Sequence, residues 1–352
     1  MNKRKRKHKL RYFRIGMAFL LLVLIIIGLL LIVSSCSGNG NNAVPADNKI
    51  PAASDSTDNA IPQPTTETTT EAVPVIFYPE KTADSFEFPE DMDAKYAILM
   101  NVDDNEIVAY KDHDVRMFPA SLTKVMTLIV ASENIEDLND TVLITNDMIG
   151  PMIDMHASRA GFAAGETPTL EQVLYGVVLP SGADAALAAA CYVSGSEEAF
   201  VALMNQKAQD MGLKSTHFTN VVGLHDENHY STAEDMALIL KYAIQDETCR
   251  KILSTYQYEI APTEYNPEGL TLTSTLFSRM EGTEMPGVTV IGGKTGFTDE
   301  AGQCLETFAE INGKTYIMVI AGAVSKWQVI YSTLSDYSVY CAGGEEYIPP
   351  TK

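Results

Sequence analysis

The sequence predicts an α+β domain in which strands from both chain ends share one antiparallel sheet around a mainly helical middle region. Three observations predict it: apolar runs at 96–102 and 106–110 flanking a turn, successive helical patterns from about 170 to 244, and a return to strand patterns after 260. Strands and helices do not alternate, so nothing implies parallel βαβ winding.

Taken in chain order, the runs 96–102 and 106–110 flank the turn-like Asp103-Asp104-Asn105, the pattern of a hairpin. An apolar helix follows over 122–131, with Pro119 just upstream as a start signal. Helices are expected at 170–178, 183–193 and 197–211, and a last one opens with the capping pattern Thr232-Ala-Glu-Asp235. Strands are then expected at 289–291, 303–311 and 315–323, the last two joined by the strong hairpin turn Asn312-Gly313. A closing helix spans about 326–340. The folded domain is expected over 92–345, with a short tail at 346–352. No internal repeat of fixed period is present.

The segment before this domain has a different character. Eight of the 25 Lys and Arg lie in residues 1–14, where there is no Asp or Glu. The formal charge of -21 therefore hides a remainder with 17 cations against 46 acids, a net of -29. So acidic a body repels nucleic-acid phosphates, which makes DNA and RNA poor partners and the basic head a topology signal. Residues 15–33 form an uninterrupted apolar run of 19, long enough at 1.5 Å per residue to cross about 30 Å of hydrocarbon. The flanking cations place its start in the cytoplasm. Val33-Ser34-Ser35-Cys36 also resembles a lipoprotein cleavage box, so 15–35 reads as a transmembrane anchor or a lipoprotein signal with lipid on Cys36. Either reading puts the rest of the chain outside the cytoplasm, membrane-attached through its N-terminal segment. Residues 36–91 are rich in Gly, Asn, Pro, Thr and acids, with too little apolar matter to offset ordering entropy, and read as an extended tether.

The five cysteines, Cys36, Cys191, Cys249, Cys304 and Cys341, contain no C-x-x-C pair and suggest neither a metal site nor a redox motif. The four beyond the anchor allow three full disulfide pairings, while Cys191 and Cys304 sit in apolar runs that suit buried thiols. His225 and His229 have metal-like spacing, but the intervening Asp226-Glu227-Asn228 reads as loop, so a surface or turn role is favoured over zinc. No cofactor is implied. Gly293-Lys294-Thr295 ends like a phosphate-binding loop, but Val288 stands where that motif needs its first glycine.

Three segments carry chemistry. Ser121-x-x-Lys124 opens the first apolar helix, and a spacing of three puts hydroxyl and amine on one face, near enough to share a proton. For the lysine to act as base, its amine must be partly neutral, which burial and a second nearby cation such as Lys294 promote. Ser181-Gly182 lies at a break between two helices and presents a second hydroxyl for proton relay. Lys294-Thr295-Gly296 ends the strand beginning near 288, where Lys and Thr can bind a carboxylate and Gly lets a ligand backbone lie along the edge.

In this order the three segments resemble the active-site set of penicillin-binding proteins and serine β-lactamases. The stretch through Met211-Gly-Leu, Thr216, Phe218, Asn220, Gly223-Leu224, His229, Ser231-Thr232 and Asp235 is similar to the D-alanyl-D-alanine carboxypeptidase branch, the low-molecular-weight penicillin-binding proteins. The resemblance covers about 93–324 and implies a β-lactamase/DD-peptidase-like fold. It implies a carboxypeptidase acting on peptidoglycan stem peptides ending in D-Ala-D-Ala, inhibited by β-lactam antibiotics. In that scheme Ser121 is the nucleophile, Lys124 its base and Ser181 the relay. Lys294 and Thr295 hold the terminal carboxylate beside Gly296, and the backbone N–H groups of Ser121 and Phe297 hold the oxyanion. The family's second motif usually reads Ser-x-Asn, and here Ala183 stands in the third place, with Asp184 next to it on another helix face. An endopeptidase or β-lactamase of the same fold, or a non-catalytic peptidoglycan or β-lactam binding module, are the alternatives.

Overall fold

The computed structural model describes residues 77–349. Its centre is a six-stranded sheet in the order β1-β3-β2-β8-β7-β6, built from β1 (Glu80–Glu87), β2 (Tyr96–Asn101), β3 (Glu106–Lys111), β6 (Thr289–Thr298), β7 (Gly302–Ile311) and β8 (Lys314–Ala323). The chain ends meet where β2 pairs antiparallel with β8, Ile98 opposite Val319. Asn312 and Gly313 both have positive φ, 54° and 76°, the geometry the two-residue turn between β7 and β8 demands. At the other hairpin the Asn101 carboxamide oxygen accepts from the N–H groups of Asp103 and Asp104, and Asn105 takes φ 56°.

On one face of the sheet lies the helical block: α1 (Thr123–Asn134), α2 (Asn146–Asp154), α3 (Leu170–Val178), α4 (Ala183–Ser194), α5 (Glu197–Asp210), α6 (Ala233–Ala243) and α7 (Glu247–Leu253). Every residue of α1 from Thr123 to Ala131 is buried, as a helix apolar on all sides must be. It is the axis around which α3, α4, α5 and α6 pack. Side-chain caps set the starts of its neighbours: Thr169 and Gln172 form a reciprocal capping box on α3, Ser196 caps α5 and Thr232 caps α6. A two-stranded hairpin of β4 (Gln257–Ile260) and β5 (Leu270–Thr273) leads through the one-turn α8 (Phe277–Met280) into β6. The opposite sheet face is covered by α9 (Gln328–Asp336), which runs on into a π-helical turn, Tyr337–Ala342.

The α+β arrangement is as the sequence predicts, with four differences. Order begins before residue 92, inside the stretch read as tether: β1 pairs with β3, and parallel to it. Only Phe86 is large and apolar in Glu80–Glu87, and the strand is held by backbone bonds to an edge, so no burial periodicity marks it. The Lys294-Thr295-Gly296 segment lies within β6 rather than at its end, because β7 continues the ladder to Thr298 opposite Gly302. The elements α2, α7, α8, β4 and β5 are short and carry too few turns to give a period. The closing helix at 326–340 divides into α9 and the π turn. Cys191, Cys249, Cys304 and Cys341 are free thiols, so none of the three pairings is formed. The basic head, the anchor or signal segment 15–35 and Cys36 lie outside the described residues, among which no single helix is long and apolar enough to cross a membrane.

The early start of the fold is anchored by Tyr78. Its hydroxyl donates to the buried carboxylate of Asp235 at the start of α6 and accepts from the Lys214 N–H at 2.7 Å, while the Asn105 amide donates to its carbonyl at 2.9 Å. A fragment beginning at residue 92 loses these bonds and β1 together. Its urea unfolding free energy is expected to fall by about 2 kcal/mol or more relative to a fragment beginning at residue 77; equal midpoints would show that β1 contributes nothing.

Candidate active site

A cleft of about 620 Å³ opens between the helical block and the edge strand β6. Ser121, Lys124, Ser181, Thr295, Gly296 and Phe297 all line it, so the structure brings together the residues that three separate segments supplied. Ser121 sits in the 3₁₀ turn Ala120–Leu122 that starts α1, and its Oγ accepts a hydrogen bond of 3.0 Å from Lys124 Nζ one turn on. Lys294 Nζ donates to Ser181 Oγ at 2.9 Å and to the Thr295 carbonyl at 2.7 Å. Thr295 Oγ1 and Thr275 Oγ1 are 2.7 Å apart.

Backbone constraint fixes both hydroxyls. Ala120, directly before Ser121, has φ 47°, and Ser181 has φ 62°; both are non-glycine residues in the left-handed region. Such conformations cost about 1–3 kcal/mol each and persist where packing over-determines them. At Ser181 the enforcing contacts are the Gly182 N–H to Gly176 carbonyl bond, 2.9 Å, and the Ala183 N–H to Ser158 carbonyl bond, 2.8 Å. Gly296 has a different task. A Cβ there would stand 3.0 Å from the Ser121 nitrogen, tighter than ordinary contact, so a side chain would press β6 away from Ser121.

Lys124 is buried, and desolvation pulls its ammonium pKa down to about 7, against an opposing pull from the Asp184 carboxylate. Its second partner is the Val222 carbonyl at 2.7 Å. Lys294 is equally buried, and desolvation, followed by the nearby charge of Lys124, holds it well below the ordinary lysine range. Two lysines so close cannot both stay charged cheaply, and this is the condition for one of them to serve as base at neutral pH.

Several contributors were not among the site residues the sequence predicts. Val222 presents its carbonyl because Asn220 Oδ1 accepts from the N–H groups of Val222, Gly223 and Leu224, curling the loop toward α1. Gly223, with φ 83°, packs against Ala120, whose carbonyl oxygen would lie 1.9 Å from an added Cβ. His229 ties this loop to the helix: Nδ1 accepts from the Thr219 N–H at 3.1 Å, so Nε2 carries the proton and donates to Thr123 Oγ1 at 2.8 Å. Its near-complete burial shows a structural residue rather than a surface one. His225 packs edge-on against Phe118. Among the described residues no group of three or more His, Cys, Asp or Glu is placed to hold a metal. Asp184 points away from the cleft and accepts from the N–H groups of Ala160 and Gly161, at 2.7 and 3.2 Å. Arg279 on α8 lines the cleft half-buried, with a buried guanidinium nitrogen that has no hydrogen-bond partner.

An α+β body with Ser-x-x-Lys at a helix start, a second serine at a helix break and Lys-Thr-Gly on the facing strand defines a β-lactamase-like serine DD-peptidase fold. Solved structures agree. The Streptomyces K15 DD-transpeptidase superposes with a TM-score of 0.64 at 28% identity, over 72% of this chain and 99% of that one. Penicillin binding protein 5 from Haemophilus influenzae gives 0.62 at 28% identity, over 72% of each. The family model for D-alanyl-D-alanine carboxypeptidase matches residues 81–325, and the chain belongs to that family. D-alanyl-D-alanine carboxypeptidase DacF of Bacillus subtilis is 34% identical over 235 residues, and the Streptomyces sp. carboxypeptidase is 32% identical over 223. The alignments cover 66% and 61% of this chain, and 58% and 76% of those proteins. The chain thus spans less than two thirds of the Bacillus relative's length.

Two pH effects follow from the burial of Lys124 and His229. Acylation of Ser121 by a labelled penicillin is expected to lose about tenfold in rate per pH unit below about 7, as Lys124 gains its proton; a flat profile from pH 8 to 5 would remove Lys124 as base. Burial, the largest cause, lowers the His229 pKa from 6.5 to about 4. The unfolded chain then binds the extra proton first, so stability present above pH 6.5 is lost as pH falls toward about 4. The loss is on the order of 3 kcal/mol, and His229→Gln should flatten that part of the urea-midpoint curve.

Proposed function

We propose that the chain is a serine-type D-Ala-D-Ala carboxypeptidase that removes the terminal D-alanine from peptidoglycan stem peptides through an acyl-enzyme on Ser121. The observation that carries this reading is the pair of serine–lysine contacts in one cleft, Ser121 with Lys124 and Ser181 with Lys294. Neutral Lys124 takes the Ser121 proton as Oγ attacks the carbonyl of the penultimate D-alanine. The oxyanion forms between the N–H groups of Ser121 and Phe297. Ser181 passes a proton to the departing amine, while Lys294, Thr295 and the unpartnered guanidinium of Arg279 offer charge to the terminal carboxylate. Water, activated by the same lysine, then breaks the ester and frees the shortened peptide. β-Lactams mimic the first step and acylate Ser121.

The basic head and the apolar run before the domain support attachment to the membrane with the catalytic domain on its outer side. Support for the family's activity comes from relatives named as carboxypeptidases, whereas the Streptomyces K15 structure is named a transpeptidase. Whether water or an amine receives the acyl group is therefore part of the proposal. The Ala183 position favours one further reading, a non-catalytic peptidoglycan or β-lactam binding module, because it offers no amide to the substrate backbone.

The test is D-alanine release from a pentapeptide ending in D-Ala-D-Ala, with Ser121→Ala as reference. Release above that variant is expected, together with a further rise of about tenfold in kcat/KM on Ala183→Asn, the worth of one well-placed hydrogen bond. No release above Ser121→Ala, with penicillin still bound covalently, would leave the binding-module reading.

A further inference from the structure

A second pocket, of about 310 Å³, adjoins the active-site cleft, and Glu300 on the turn between β6 and β7 lines both. Side chains of the two cavities touch: His225 of the cleft packs edge-on against Phe118 of the pocket, ring centroids 4.6 Å apart. Glu227, which also lines the pocket, stands 3.7 Å from His225 Nε2. The proposed mechanism makes no use of this pocket.

Two cations line it, and the fold holds each by its stem. Met117 exchanges both backbone hydrogen bonds with Ser231, at 2.8 and 3.0 Å, which lays Arg116 alongside Tyr230 with the guanidinium 4.0 Å from the ring centroid. The Lys95 N–H donates to the Ala321 carbonyl at 3.0 Å, and its methylenes cover Gly322, where an added Cβ would meet them at 2.7 Å. Neither cation forms an ion pair among the described residues, whereas Lys207, Lys251 and Lys314 each do. In so acidic a body carboxylates are plentiful, so two cations left unpaired in one pocket are free to meet an anion from outside the chain. Glu300 and Glu227 add the opposite charge on the side of the cleft.

The direction of the substrate leads to this pocket. β7 covers one edge of β6, with Phe297 opposite Gln303, and the other edge faces the cleft, open to an extended peptide. With its terminal carboxylate at Lys294 and Thr295 and its reacting carbonyl at the Phe297 N–H, the peptide runs antiparallel to β6. Each residue advances about 3.3 Å along a strand, so the residue before the two D-alanines lies past Phe297, at the turn that carries Glu300. In a peptidoglycan stem that residue is a diamino acid.

We propose that the pocket is a subsite for this diamino acid when its side chain ends in an ammonium and a carboxylate together, as in diaminopimelate. Arg116 and Lys95 take the carboxylate, and Glu300 and Glu227 take the ammonium. The direction of the peptide rests on the carboxypeptidase reading. A lysine in the same place offers only the ammonium and leaves both cations without a partner.

The test has two arms. D-Alanine release is compared for pentapeptides that carry diaminopimelate or lysine before D-Ala-D-Ala, and kcat/KM is expected to favour the first by about fivefold, the worth of two exposed charge pairs. The second arm needs no turnover. Acylation of Ser121 is timed with a penicillin bearing an α-aminopimelyl side chain and with one that lacks only the side-chain carboxylate, and the first should again react about fivefold faster. Both ratios should fall close to one in the double variant Lys95→Gln, Arg116→Gln. If neither peptide releases D-alanine but the penicillin ratio behaves in this way, the carboxypeptidase reading fails and the subsite stands. Equal acylation by the two penicillins, or a preference that survives in the double variant, overturns the proposal.

Discussion

Two buried lysine side chains, Lys124 lining the cleft and Lys294 behind Ser181 and Thr295, are the constraint on which the site depends. Each ammonium has left water, and each has found only two hydrogen-bond partners: Lys124 has Ser121 and the Val222 carbonyl, Lys294 has Ser181 and the Thr295 carbonyl. In an apolar interior such groups shed a proton unless something opposes it. A lysine of ordinary pKa would almost never be neutral at pH 7, so burial is what turns this residue type into a base. The environment that makes the chemistry available is also one the fold must offset elsewhere.

Much of the architecture can be read as the means of that burial. Lys124 is enclosed because α1 is apolar on every side and therefore central, and the reactive end of this helix is the only part that reaches the cleft. Lys294 is enclosed because it sits within an edge strand whose open side is covered by the start of α1. That cover requires small residues: Gly296 admits the Ser121 turn, and a Cβ on Gly292 would stand 2.4 Å from the Leu253 carbonyl at the end of α7. Glycine on both sides of Lys294 lets two helical segments close over the strand without lifting away from it. The positive φ values at Ala120 and Ser181 belong to the same geometry, since each turns the chain sharply enough to aim a hydroxyl at a lysine.

What was legible in the sequence divides along physical lines. Long amphipathic or apolar periods gave the helices α3 to α6 and the strands β2, β3, β7 and β8. Contiguous motifs gave Ser121, Lys124, Ser181 and Lys294-Thr295-Gly296-Phe297. Elements that pair along an exposed edge with little apolar burial, such as β1, or too short for a period, such as α8, left no pattern. The same limit hid Arg279, which reaches the cleft from α8. The Val222 carbonyl was hidden for another reason: a backbone group carries no residue identity, and only the Asn220 turn betrays it. Glu306 did leave a trace. On the buried face of an alternating strand it falls between Cys304 and Phe308, where the period calls for an apolar residue, and a charge at such a position marks either a paired group or a site.

Ala183 sharpens the electrostatic picture rather than blurring it. An asparagine there would bring an amide toward the cleft and, by the family resemblance, a third partner for the catalytic lysine. Its carbonyl would accept from the ammonium and favour the charged form. Alanine removes that partner and leaves Lys124 with a lower demand for its proton, at the expense of one hydrogen bond to the substrate backbone. The Lys124 amine then depends more heavily on more distant charge, and Asp184 is the buried carboxylate that acts on it. Asp184 already gives its oxygens to the N–H groups of Ala160 and Gly161, which spreads its charge. Glu306 has no such partners, and burial holds its carboxyl pKa well above the ordinary carboxylate range, so the hydrogen bonds that compensate Asp184 have no counterpart at Glu306.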